Sequence, residues 1–254
     1  DVKVLAASTV IATDDIAIDA ADDTTTATVT DGNVTVDASK VESTAGNVVV
    51  GTAAGTRIDG AFKAQNTATV VGNKGVEVYA SGDAVVDGSV VKAGAFATPT
   101  TFPPTAMPAI AAGDSADMKI DANGKVEVKS SSMVGASGDM EIDAGAAGVD
   151  VNGSFVASKG AMKIDSNGGP VTVEGSSYVG TGSTLAIGSE NKNTKVTVKT
   201  GSNVESALAM TVKGTEVEVN AARVGTSKSL DIDATAGDVK VLAASTVIAT
   251  DDIA

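Results

Sequence analysis

The sequence predicts an all-β protein, a parallel β-helix or β-solenoid of about nine coils per 237-residue tandem unit. Three observations predict it. Residues 1–17, DVKVLAASTVIATDDIA, recur unchanged as residues 238–254, an offset of 237. Inside that long period an alternating Val-x-Val triplet returns every 21 to 25 residues through the second half of the chain. The composition, finally, offers an interior of small and β-branched side chains: His, Cys and Trp are absent, and the aromatics are four Phe and two Tyr. Val and Thr fit a pleated, half-buried surface.

Seventeen identical residues leave no room for the drift that solvent-facing positions of a merely related fold would show. The chain is therefore read as one unit, 1–237, followed by the start of the next, 238–254, within a longer tandem array. Val2-Lys3-Val4 opens the first coil, Val34-Thr35-Val36 the second, Thr56-Arg57-Ile58 the third and Ala84-Val85-Val86 the fourth. Val126, Val149, Val171, Val196 and Val217 open the next five, and Val239 restarts the series. Alternation at period two marks a strand with one buried face.

A second element of the form small-x-Val follows, as in Ser132-Met133-Val134, Ser154-Phe155-Val156, Ser177-Tyr178-Val179 and Ala222-Arg223-Val224. A third alternates again: Met140-Glu141-Ile142, Met162-Lys163-Ile164, Leu185-Ala186-Ile187. Gly, Asn, Asp and Ser fill the gaps, as turns require. Three short strands and three corners in about 22 residues make one coil. The polar segments 22–31 and 65–74 read as surface excursions. Residues 93–115 hold four of the five prolines and read as a long loop insertion, because Pro cannot donate to a ladder.

Coils stack about 4.8 Å apart, so each residue should lie over its counterpart in the next coil. Val, Ile, Leu and Met columns then face inward, and Ser132, Ser154, Ser177 and Ser202 suit a tight corner. Outward, Lys119, Glu141 and Lys163 should alternate in charge, and Glu218 should meet Lys240 where one unit passes into the next. Phe62, Val90, Met133, Phe155 and Tyr178 form an outward apolar column. Phe96 and Phe102 of the Pro-rich loop are expected to lie over it; the rival expectation is contact with another molecule.

A net charge of −14 argues against nucleic acid as a partner. No run of about 18 apolar residues is present, so membrane insertion is not expected. Without His, and without a nucleophile beside a base, catalysis is not expected either. No cofactor is expected; the one metal candidate is Ca²⁺ at Asp14, Asp15, Asp19, Asp22, Asp23 and Asp31, against the simpler reading of a solvated acidic turn.

The run GDMEIDAGAAGVDVNGSFVASKGAMKIDSNGG, residues 138–169, resembles the roughly 20-residue repeats of the filamentous-haemagglutinin type of bacterial exoprotein. The resemblance implies a right-handed parallel β-helix, displayed on or released from a cell surface as a rigid stalk or adhesive fibre. The unvarying long repeat and the Pro-rich insertion depart from that pattern and favour a repetitive structural filament. The expected function is thus a rigid extracellular or cell-surface fibre, sheath or surface layer whose partner is the next identical unit. The alternative is an adhesin that recognises a glycan or surface protein through its loop or apolar stripe.

Overall fold

We describe residues 1–20, 32–51, 57–97, 114–189 and 194–254 of a computed structural model of the chain. Among them every regular element is a β-strand, twenty-nine in all, and there is no helix. The strands form three parallel sheets of ten, ten and nine members, and within each sheet a strand pairs with those three places before and after it in the chain. One strand per face per turn is a parallel β-solenoid. Nine coils are complete, and a tenth contributes two strands and the bridge from Leu230 to Ile253.

The inward columns explain why this sequence winds as it does. On the first face Val126, Val149, Val171, Val196 and Val217 lie in register. On the second face a single residue type fills every level: Val10, Val41, Val70, Val91, Val134, Val156, Val179, Val204, Val224 and Val247. The third face carries the longer side chains, with Met118, Met140, Met162, Leu185 and Met210 in one column and Ile120, Ile142, Ile164, Ile187 and Val212 in the other. Stiff Val side chains on two faces leave a gap of constant shape that the flexible Met and Leu side chains cross. Each such burial contributes roughly 1.5–3 kcal/mol.

The corners keep the register. Between first and second strands the chain passes through left-handed residues such as Gly88, Gly153 and Gly175, at φ of +57°, +58° and +68°. A buried serine follows. The amide of Ser89 donates to Ser132 Oγ, Ser132 to Ser154, Ser154 to Ser177 and Ser177 to Ser202, each at 3.2 Å. The hydroxyls donate onward to carbonyls, Ser154 to Asn152 and Ser177 to Val151, both at 3.0 Å. An amide that the turn leaves outside the sheet ladders thus finds a partner one coil away. Carboxylates do the same at the other corners: Asp117 Oδ1 accepts from the Asp139 amide at 2.8 Å, Asp139 Oδ1 from Ala161 at 2.7 Å, and Asp83 Oδ1 from Lys125 at 2.7 Å.

Two expectations are corrected. The third coil opens at Phe62, not at Thr56: Phe62–Gln65 is its first-face strand, in register with Val34 and Ala84. Ile58 instead bridges to Ala80 on the third face. Val50 pairs with Val78, so a step of two residues in the third coil is matched by eight in the second. The segment 65–74 is likewise no excursion, because Thr69–Gly72 is the second-face strand of that coil. Its Ala68-Thr69-Val70 fits the small-x-Val form that marks every other coil.

Candidate functional site

The outer side of the second face carries the apolar column. Val90, Met133, Phe155 and Tyr178 stack in consecutive coils. Met133, Phe155 and Tyr178 are no more than 2 % exposed, although they point away from the solenoid interior. The cover includes Phe96, from the start of the Pro-rich insertion, itself buried. Its ring lies 6.0 Å from that of Phe155, tilted by 51°, and Phe155 stacks on Tyr178 at 5.2 Å. With Ala157 these residues form a second hydrophobic cluster, separate from the main core. Phe102 lies outside the described residues.

Phe62 does not belong to this column. It is fully buried in the main core, where the small neighbours Ala64 and Ala84 give its ring room. The residue over Val90 on the second face is Thr69.

A further feature, legible but unread in the sequence, makes the outer cluster possible. On the second face, two residues after four of the large outward side chains comes a small one: Met133 and Gly135, Phe155 and Ala157, Tyr178 and Gly180, Arg223 and Gly225. A Cβ at Gly135 would come within 2.7 Å of the Phe96 ring, and one at Gly180 within 2.4 Å of the Tyr178 ring. These glycines serve close approach by a ring rather than a backbone turn. At Gly225 the neighbour is the Arg223 guanidinium, which also binds Glu205.

The seam between the ninth coil and residues 238–254 is continuous. Val217, Glu218 and Val219 stand opposite Val239, Lys240 and Val241, and Val224 stands opposite Val247. The Ala222 amide faces Ser245 Oγ at 3.5 Å and the Ser8 amide donates to Ser39 Oγ at 3.1 Å, so both copies of this serine take their place in the corner ladder. Glu218 and Lys240 are aligned as expected, but the close ion pair is a different one. Lys240 Nζ lies 3.0 Å from Glu216 Oε1, while Glu218 takes the Asn220 side chain at 3.2 Å. The bond to Glu216 raises the Lys240 pKa, and the bonds from Lys240 and Lys195 lower that of Glu216. A long lysine reaches diagonally, which residue alignment alone does not reveal.

The third face carries the alternating charges. Glu141 holds Lys119 at 3.0 Å and Lys163 at 3.1 Å. Burial pushes the Glu141 carboxyl up, but the bonds from Lys119 and Lys163 prevail and hold it below its ordinary value. Alongside runs an open groove of about 850 Å³ lined by Glu77, Tyr79, Lys119, Glu141 and Lys163. The Tyr79 hydroxyl donates to Glu77 Oε2 at 2.9 Å. Burial, aided by that bond, pushes its pKa up to about 12.

No family model, curated protein or solved structure matches the chain. The candidate surfaces therefore rest on this geometry alone.

The acidic residues near the start divide. Asp15 Oδ1 accepts from the Asn47 amide at 2.7 Å and from its side chain at 3.2 Å, so it serves the corner. The Asp14 carbonyl accepts the Ser43 hydroxyl. Asp19 follows the third-face strand Ile16–Ile18, while Asp22, Asp23 and Asp31 lie outside the described residues. Among the described residues no group of three or more acidic side chains is arranged to hold a metal ion.

Proposed function

We propose that the chain is a stretch of a rigid fibre, sheath or surface layer, outside the cell or on its surface, in which β-solenoid units follow one another as an unbroken stack. One observation carries this reading. Residues 238–254 lie on the ninth coil as a tenth, and the identical residues 1–17 carry the second coil on their other side. The repeated segment thus has a fitting neighbour on both faces. Units can succeed one another without a break in the valine columns, the serine ladder or the strand pairing.

A stack of this kind resists bending because its main-chain hydrogen bonds run along the axis. Tandem continuation also removes the open strand edges that would otherwise invite uncontrolled pairing. The net charge of −14 discourages lateral sticking.

Electron microscopy of the native assembly tests the proposal. Rods whose density repeats about every 43 Å are expected, nine coils at about 4.8 Å each; globular particles without that period would overturn it. An adhesin is the second reading, favoured by the groove beside Tyr79 on the third face. Glycan-array binding abolished by Tyr79→Ala would support the adhesin.

A further inference from the structure

We propose that Asn167 is a self-modifying site: its side-chain amide is lost to attack by the Gly168 main-chain nitrogen, while the fold protects the comparable steps in the described chain from the same reaction. Asn is among the thermolabile residues, and a following glycine, having no side chain, leaves its amide nitrogen unhindered. The sequence holds three Asn-Gly steps, at Asn123, Asn152 and Asn167. As dipeptides they are equivalent, and the structure separates them.

At two of them the nucleophile is engaged. The Gly124 amide donates to the Gly82 carbonyl at 3.0 Å and the Gly153 amide to the Glu174 carbonyl at 3.1 Å, each in a neighbouring coil. The Asn152 side chain is held as well, donating to Glu174 Oε1 at 3.0 Å. Asp-Gly steps can close the same ring, and at Asp59 and Asp87 the glycine is engaged too: Gly60 donates to the Gly32 carbonyl at 3.1 Å and Gly88 to the Lys129 carbonyl at 3.2 Å. Gly168 is the exception. Among the described residues its amide donates to no partner, and the Asn167 side chain has none either. Both residues are exposed.

The length of the corner explains the exception. Three residues separate Ala122 from Val126, but four separate the aligned Ser166 from Val171. The longer corner is pinned on both sides, by the Asn167 amide to the Ala144 carbonyl at 2.7 Å and by the Ser166 hydroxyl to the Gly169 carbonyl at 2.5 Å. The added residue bows outward between these pins, with Gly168 at φ +91°. An amide that the ladder does not take is left to water.

In the reaction the Gly168 nitrogen gives its proton to hydroxide and forms a bond to the Asn167 side-chain carbonyl carbon. The bond from that carbon to the side-chain nitrogen breaks, and the leaving group takes a proton from water and departs as ammonia. Water then opens the cyclic imide at either carbonyl. The products are aspartate, with the main chain restored, or isoaspartate, with the main chain rerouted through the side-chain carbon. One water is taken up, one ammonia is released, and one negative charge is added at the outer corner. Because neither the Gly168 amide nor the Asn167 side chain holds a contact, the stack should tolerate the change.

The test incubates the 254-residue chain in mildly alkaline water enriched in oxygen-18 and reads each Asn-Gly peptide by mass spectrometry. Label is expected at Asn167 about tenfold faster than at Asn123 or Asn152, the factor set by having to open a hydrogen bond before attack. In denaturing guanidinium the three rates should converge, since the dipeptide is shared. The chain in which Asn167 has been converted is expected to keep the parent's urea midpoint. Label appearing at Asn123 or Asn152 as fast as at Asn167 in the folded chain, no label at Asn167, or a difference that persists unchanged in guanidinium would overturn the proposal; a lowered midpoint would overturn the tolerance of the stack.

Discussion

The ring of Phe155 lies 5.2 Å from that of Tyr178 in the next coil, with their planes only 13° apart. Phe96 closes the pair from above, and all three are as buried as the main core. A β-solenoid exposes the outer side of each sheet, so burial there requires a lid. Here the first residues of the Pro-rich insertion provide part of it.

Truncating this cluster should therefore cost as much as truncating a core residue. Phe155→Ala is expected to destabilise the chain by about 3–5 kcal/mol. Phe96→Ala should raise binding of a hydrophobic dye, since it uncovers Phe155. In a double-mutant cycle the two changes should couple by about 0.5–1.5 kcal/mol beyond additivity. Strict additivity in chemical denaturation would mean that Phe96 is not the lid.

Gly180 should not tolerate a side chain while Tyr178 keeps its place. Gly180→Val is expected to cost about 1–3 kcal/mol by overpacking against the ring. The same substitution in a Tyr178→Ala background should cost measurably less. Equal costs in both backgrounds, read from denaturation midpoints, would contradict the role assigned to this glycine.

The corner serines make a local prediction. Ser154→Ala removes the acceptor of the buried Ser132 amide and is expected to cost about 1–3 kcal/mol. Hydrogen exchange should accelerate first at the Ser132 amide. An unchanged rate there would show that the hydroxyl does not hold the corner.

The charge ladder gives a pH dependence with two limbs. Glu141 has a folded-state pKa below its ordinary 4.5, so its contribution is present above that value and is lost as pH falls through the lowered one. Lys119, raised above 10.5 chiefly by its bond to Glu141, contributes fully below 10.5 and loses that contribution as pH rises through the higher value. Stability against urea should be flat between the limbs. Glu141→Gln should shallow the acid limb and remove the part of the alkaline limb due to Lys119; a profile identical to that of the parent would refute the linkage.

Much of the winding was legible because Val126, Val149, Val171 and Val196 recur at almost constant spacing, which places like residues over like in successive coils. The third coil was misplaced for a definite reason. Thr56-Arg57-Ile58 alternates as convincingly as Phe62-Lys63-Ala64, and only pairing with Val34 and Ala84 distinguishes them. The same choice put Phe62 on the outside. Glu216 was missed as the partner of Lys240 because it lies outside the Val-x-Val triplet, whereas side-chain length decides the ion pair. That Asp15 serves the Asn47 amide has no sign in the sequence, because the two residues meet only through the stacking of one coil on the next. The alternation of large and small residues at Met133 and Gly135, or Tyr178 and Gly180, was in plain view, and its meaning depends on a ring crossing from one column to the next.

The continuity of the seam is most directly tested by a distance between Thr9 and Thr246, which are the same residue of the repeat and both exposed. The chain has no cysteine, so Thr9→Cys and Thr246→Cys can carry a single pair of spin labels. Pulsed electron paramagnetic resonance should give one narrow distribution centred near about 43 Å, the advance of nine coils at about 4.8 Å. A broad distribution, or a centre far from that value, would mean that residues 238–254 do not continue the stack.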